Sequence, residues 1–201
     1  IGYVPQTDIV YDNLTLERML YYSAKLRMAQ DSSKAEVAKR IAEVIEMVEL
    51  TGHEKTMIRR LSGGQKKRAS IAVELLSDPG IFFLDEPTSG LDPGTECNLM
   101  TTLKKMSRKD KTVILVTHTP LNLHLCDKII FMGYGGKMCF CGSPEEALKF
   151  FEVDNLVDIY NVIQKDSQTW RKRYEEQNPL QQSAIEDYQK FEGTYGNMYA
   201  V

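Results

Sequence analysis

No apolar run in the 201-residue sequence approaches the roughly 20 residues needed to cross a bilayer. The longest candidates, Thr112 to Thr117 and Ile129 to Met132, have the length of strands. The chain opens at Ile1 inside an apolar stretch, without an initiator Met, a basic leader or a secretory core, and is read as part of a longer polypeptide. A large excess of charge of either sign is also lacking. A net charge of −3 and a pI of about 5.7 exclude a general polyanion binder while leaving local phosphate contacts open. Cysteines stand only at Cys97, Cys126, Cys139 and Cys141, and the Cys139-x-Cys141 pair places both side chains on one strand face. No second pair follows at zinc spacing, so buried, reduced thiols of a cytosolic protein are expected. There are no repeats or low-complexity tracts. What remains, 42% hydrophobic with 26% charged, is enough apolar material for a globular domain with its own core.

Ile1 to Val4 is apolar and stops at Pro5, the end of a strand entering a loop. From Thr15 to Gly52 the period becomes helical. Thr15 is a cap with Glu17 in the first turn, and Met19, Leu20, Ala24 and Met28 share a face. Ser33-Lys34-Ala35-Glu36 has capping-box spacing, Val37, Ile41, Val44, Ile45 and Val48 form the next stripe, and Gly52 is the expected stop.

Strands and helices alternate after Leu61. Ile81 to Leu84 and Val113 to Val116 are short continuous apolar runs, as in strands of a parallel sheet covered on both faces. Asp92-Pro93 caps a helix bearing Leu99, Met100, Leu103 and Met106. Lys128 to Cys141 is a strand pair around Gly135-Gly136, and Ser143-Pro144-Glu145-Glu146 opens a helix with Leu148 and Phe151 on its apolar side. Residues 166 to 195 are polar with scattered Trp170, Tyr174, Tyr188 and Phe191, and suit amphipathic helices or a linker.

Leu61-Ser62-Gly63-Gly64-Gln65 puts two glycines in a turn with a helix expected to begin immediately after them, so free N–H groups and the positive end of a helix dipole face whatever lies in front. A terminal phosphate suits that geometry, and so does a plain Ser-capped turn. Ile81-Phe82-Phe83-Leu84-Asp85-Glu86-Pro87 ends an apolar strand in two acids. At the carboxyl edge of a parallel sheet, Asp85 can hold Mg²⁺ and Glu86 can polarise an attacking water. Asp92 has a structural role as a cap. His118 stands at the polar tip of the Val113–Val116 strand, and Gln6 on the loop leaving the first strand.

The set YVPQ (3–6), LSGGQ (61–65), IFFLDEPTSGLD (81–92) and VTH (116–118), in that order, resembles the nucleotide-binding domain of ABC ATPases. The likeness runs from Ile1 to about Phe151. It implies an α/β fold: a partial P-loop NTPase core with a parallel sheet plus a helical subdomain. It also implies roles for single residues. Gln6 is then the Q-loop glutamine near Mg²⁺, and Ser62, Gly63, Gly64 and Gln65 are the signature that caps ATP held by an opposite subunit. Asp85 is the metal acid, Glu86 the general base, Asp92 the D-loop acid and His118 the switch histidine. Within the family, LTLERMLYYSAKLRM (14–28), VELL (73–76), GKMCFCGSPEEALKFF (136–151) and NLVDIYNVI (155–163) are similar to the G-type, White-like transporters, with Leu156 where that group usually has Pro.

The organisation expected from the likeness is residues 1–10 for a core strand and Q-loop, 11–60 for the helical subdomain, 61–151 for the C-terminal part of the core and 152–201 for an extension toward a membrane domain. No G-x-x-x-x-G-K-[ST] motif occurs, so the phosphate cradle is expected N-terminal to Gln6 and the chain alone is expected to be inactive. The implied function is the ATP-hydrolysing part of a membrane transporter, an exporter, working at the cytoplasmic face of the membrane. It would use ATP and Mg²⁺, with a second such domain and a C-terminal transmembrane domain as partners and no nucleic acid. Two alternatives stand beside it: a soluble relative acting on nucleic acid or ribosomes, and a degenerate regulatory domain. The short stretch between Gln6 and Ser62 leaves no room for coiled-coil arms, and the cysteines supply no zinc equipment.

Overall fold

The computed structural model describes residues 1–109 and 111–178; Tyr188 and Phe191 lie outside them. The chain divides into two compact units, Ile1–Leu125 and Cys126–Val201.

In the first unit, β1 (Gly2–Val4), β2 (Ile81–Asp85) and β3 (Thr112–Val116) form a parallel sheet in that order. Gly2 pairs with Phe82 and Phe82 with Val113, while Tyr3, Phe83 and Ile114 form the adjacent row. Helix α3 (Gly63–Leu75) lies on β1 and α4 (Pro93–Ser107) on β3, and the two helices touch. They cover the face of Val4, Phe82 and Leu84, all essentially inaccessible.

The other face corrects an expectation. Neither β2 nor β3 is covered on both sides: Tyr3, Ile81, Phe83, Ile114 and Val116 are all exposed. Alternate apolar residues therefore remain exposed on that face although the run is continuous in sequence.

Helices α1 (Leu16–Arg27) and α2 (Lys34–Met47) complete this unit. Thr15 caps α1 by accepting from Arg18 N–H, and Ser33 and Glu36 form a reciprocal capping box on α2. The expected stripe of Val37, Ile41, Val44, Ile45 and Val48 is buried. The stop is earlier than Gly52. Glu49 takes the left-handed conformation (φ 57°), Leu50 N–H donates to Ile45 O at 2.9 Å and Glu49 N–H to Glu46 O at 3.0 Å, a Schellman ending without glycine. Arg68 (3.0 Å) and Lys105 (2.7 Å) hold the Glu49 carboxylate, and the Lys105 hydrogen bond draws its pKa below the ordinary value. On the far side, Arg40 of α2 donates to Leu75 O and Leu76 O, satisfying carbonyls at the end of α3.

The second unit is built on an antiparallel pair, β4 (Ile129–Gly133) and β5 (Lys137–Gly142), with Gly135 and Gly136 both at positive φ in the turn. Three helices follow: α5 (Pro144–Phe151), capped by Ser143 and Glu146; α6 (Leu156–Lys165), capped by Asn155; and α7 (Ser167–Gln177), capped by Asp166. Phe131, Phe140, Phe150, Phe151, Trp170 and Tyr174 stack into one aromatic cluster. In α5, Phe150 rather than Leu148 joins Phe151 on the buried side, because the helix turns 100° per residue and Ala147 sets that face. Of the four cysteines only Cys139 is buried, while Cys97 is exposed and Cys126 and Cys141 are half-buried. The expectation of four buried thiols is corrected to one.

Candidate active site

Strand β2 delivers Asp85 to the carboxyl edge of the sheet, and the chain turns sharply at the next residue. Glu86 has φ 42°, left-handed backbone that non-glycine residues rarely adopt. The turn is fixed by Glu86 N–H donating to Val116 O at 2.9 Å and Ser89 N–H donating to Glu86 O at 3.1 Å. Glu86 therefore sits under local strain at the edge where ligands bind in open α/β sheets. Glu86→Gly is expected to be more stable than Glu86→Ala by about 1 kcal/mol, since only glycine relaxes there. Denaturant midpoints of the two variants measure the difference, and equal midpoints would remove the strain argument.

The strained backbone aims the Glu86 carboxylate between two other predicted residues. Gln6 Nε2 donates to Glu86 Oε2 at 2.9 Å, and His118 Nδ1 lies 3.1 Å from Oε1. The Glu86 side chain is 27% exposed and that of His118 69%, so the carboxylate is sheltered while the imidazole edge stays open to an incoming group. Asp85 belongs to the open face of the sheet, where Tyr3 OH reaches its Oδ2 at 3.4 Å. Three consecutive strand ends thus supply one residue each, Gln6 after β1, Asp85 and Glu86 on β2, and His118 after β3.

The glycine motif lies differently from the sequence expectation in one respect. Helix α3 begins at Gly63 itself, so the glycines form its first turn instead of a loop ahead of it. Ser62 Oγ accepts from Gln65 N–H and Gln65 Oε1 accepts from Ser62 N–H, a capping box that leaves the Gly63 and Gly64 amides as the forward donors. Gln65 Nε2 also lies 3.1 Å from His53 Nε2. A Cβ at Gly64 would come within 2.3 Å of Thr95 Cγ2, whereas at Gly63 the nearest atom, of Leu91, is 3.7 Å away. Gly64 is required by close packing and Gly63 leaves its outer surface open. Thr95 itself is pinned: Asp92 caps α4 by accepting from the N–H groups of Gly94 and Thr95, both at 3.1 Å, and from Thr95 Oγ1 at 2.5 Å. The Thr95 bonds hold the Asp92 carboxyl below its ordinary pKa.

The structure therefore brings the nine predicted residues into two groups. Gln6, Asp85, Glu86 and His118 make one; Ser62, Gly63, Gly64, Gln65 and Asp92 make the other, joined by packing of α3 on the start of α4. Sequence reading missed Tyr3, His53, Asp8 and Lys67. For Lys67 a signal existed: it falls on the apolar stripe Gly64–Lys67–Ile71–Leu75 of α3, where a lysine must find a partner.

A family model described as "ABC transporter" matches residues 1–89. The ABC transporter ATP-binding/permease protein Rv1747 of Mycobacterium tuberculosis is 40% identical over 174 residues, 87% of this chain and 20% of that protein. The chain belongs to the ABC transporter ATP-binding family. Protein white of Drosophila melanogaster is 39% identical over 75% of this chain and 23% of its own length, and ABC transporter G family member 14 of Arabidopsis thaliana 31% over 94% and 32%. The structure of cbiO1 from Clostridium perfringens, part of the ABC transporter complex cbiONQ, superposes with a TM-score of 0.67 at 28% identity, covering 74% of this chain and 59% of that one. The fold is accordingly a partial P-loop NTPase core of α/β type. The chain spans between a fifth and a third of the length of these curated relatives.

Domains of this family bind ATP, generally with Mg²⁺, and hydrolyse it. Among the described residues, no group of three or more His, Cys, Asp and Glu side chains forms a self-sufficient metal cage. The donor set still fits Mg²⁺, which takes one or two carboxylates together with substrate phosphates and water. Asp85, with a phenol as its partner and not a cation, is the carboxylate suited to it.

Proposed function

We propose that this chain supplies the hydrolytic edge and the signature half-site of an ATP-driven membrane transporter, an exporter of the G-type group. The observation that carries the reading is the Glu86 carboxylate held between Gln6 and His118 on adjacent strand ends. A water in line with a terminal phosphate needs a base within hydrogen-bond reach, and Glu86 is sheltered, oriented from both oxygens and next to Asp85. Asp85 would hold Mg²⁺, which neutralises charge developing on the phosphates. Gln6 orients Glu86 and would also be available to that ion, and His118 would present its open edge to the terminal phosphate. The Gly63 and Gly64 amides, with the positive end of the α3 dipole, would cap the nucleotide held by a second ATP-binding domain. Asp92 secures the α4 terminus on which that motif rests.

Among the described residues no helix is long and apolar enough to cross a membrane. The phosphate loop is not in this sequence either. Tyr3, Phe83 and Ile114 form an open apolar row beside Asp85, suited to cover by further strand and helix. The isolated chain is therefore expected not to bind ATP·Mg²⁺ at micromolar concentration, because the grip on the phosphates is lacking. Calorimetric titration measures this. Saturable micromolar binding by the chain alone would overturn the division of labour.

A further inference from the structure

Helix α3 carries three consecutive cations, and each reaches a different segment. Lys66 Nζ lies 3.3 Å from Asp12, Arg68 pairs with Glu49, and Lys67 turns inward. Lys67 is only 4% exposed. Its Nζ donates to the backbone oxygen of Gln6 at 2.8 Å and lies 2.7 Å from Asp8 Oδ1. A buried ammonium is costly unless paired and hydrogen-bonded, and here both partners come from the single loop that carries Gln6. The Gln6 side chain in turn donates to Glu86, whose other oxygen meets His118. A short path therefore runs from the Ser62–Gln65 cap, down one turn of α3, through the Lys67 ammonium to Gln6 and on to Glu86.

We propose that Lys67 is a positioning residue for the ATPase: by gripping the Gln6 carbonyl and the Asp8 carboxylate, it sets where the Gln6 side chain meets Glu86 and ties that placement to the helix bearing the signature. The inference rests on the ATPase reading for its consequence, but the grip itself does not. The loop from Pro5 to Asp8 has no regular secondary structure, so the position of Gln6 is set by such contacts. Charge on the signature helix is thereby used inside the same subunit, while the amides at its tip face outward. A shift of α3 when the tip is engaged would be passed to the hydrolytic edge through one side chain of fixed length.

Two measurements test this together, on Lys67→Met and on Lys67→Arg, which keeps a cation and its donors. Amide hydrogen exchange in the isolated chain reads the grip. In Lys67→Met, exchange over residues 6–8 should rise by about tenfold or more while Ile71–Leu75 and β2 stay protected, and Lys67→Arg should restore much of the protection. In the full-length protein, Lys67→Met should lower kcat about tenfold or more with KM for ATP little changed, since an oriented group is displaced and no phosphate contact is lost. Exchange rising equally through α3 and β2 would make Lys67 a packing residue only. Unchanged exchange at residues 6–8, or an unchanged kcat with the loop released, would also overturn the proposal. A wild type without ATPase activity, or a Glu86→Gln variant as active as wild type, would instead remove the ATPase reading and leave the exchange result to stand.

Discussion

Glu86→Gln in the full-length protein is expected to retain ATP while losing hydrolysis by about two to four orders of magnitude, the range of a general base. The substitution keeps the shape of the side chain. The amide oxygen can still accept from one neighbour, so Gln6 and His118 lose little of their placement. What disappears is the second oxygen's basicity: an amide cannot take the proton of the attacking water. Binding survives because neither Asp85 nor the Gly63–Gly64 amides depend on Glu86 for position; Asp85 is set by β2 and the amides by α3. Phosphate release against nucleotide retention on the purified protein separates the two effects. Turnover near that of wild type would show that Glu86 is not the base, whatever its geometry.

Phe82→Ala should cost about 3–5 kcal/mol of stability, enough to threaten a domain of ordinary marginal stability. Phe82 is fully buried on the central strand, and its ring occupies the space that a side chain at position 2 would need: a Cβ on Gly2 would lie 2.6 Å from the Phe82 ring. Removing the ring leaves a void beside Gly2 of β1. The contrast is Phe83, one residue on and 38% exposed on the open face, where truncation should cost no more than about 1 kcal/mol. Urea midpoints of the two variants, measured side by side, test the face assignment. Equal losses would mean that the open face is covered in solution.

The helix boundaries were the most legible part of this fold, because their chemistry is local. Thr15, Ser33, Ser62, Asp92 and Ser143 each sit within three residues of the N–H they satisfy, and that spacing is visible in a one-dimensional string. The left-handed stop at Glu49 was not, since it depends on Arg68 and Lys105 brought from distant segments. Strand burial misled for a related reason. A continuous apolar run reports that both sides of a strand are built for contact, not that contact is made within one chain, and Tyr3, Phe83 and Ile114 remain open. At the site, the order of motifs pointed to Gln6, Asp85, Glu86 and His118 as residues. It did not reveal that Glu86 is strained, or that Gln6 and His118 both bond to it. Lys67 was masked by its charge: beside Lys66 and Arg68 it looks like one more solvated cation, and only its place on the apolar stripe of α3, which the burial bears out, separates it from them.

On the proposed function, the two groups of residues in this chain serve different nucleotides, the Glu86 edge one and the Gly63–Gly64 tip another. Mixed dimers test it most directly. Gly63→Asp, at a position with room for a side chain, sets a negative charge where the tip would meet phosphate. Full-length subunits carrying Gly63→Asp are mixed with subunits carrying Glu86→Gln, and single-turnover phosphate release is recorded. Each variant alone should be inactive, and the mixture should recover release, because one of its two sites combines an intact edge with an intact tip. A mixture as inactive as either variant alone would mean that edge and tip act on the same nucleotide within one chain, and would contradict the account.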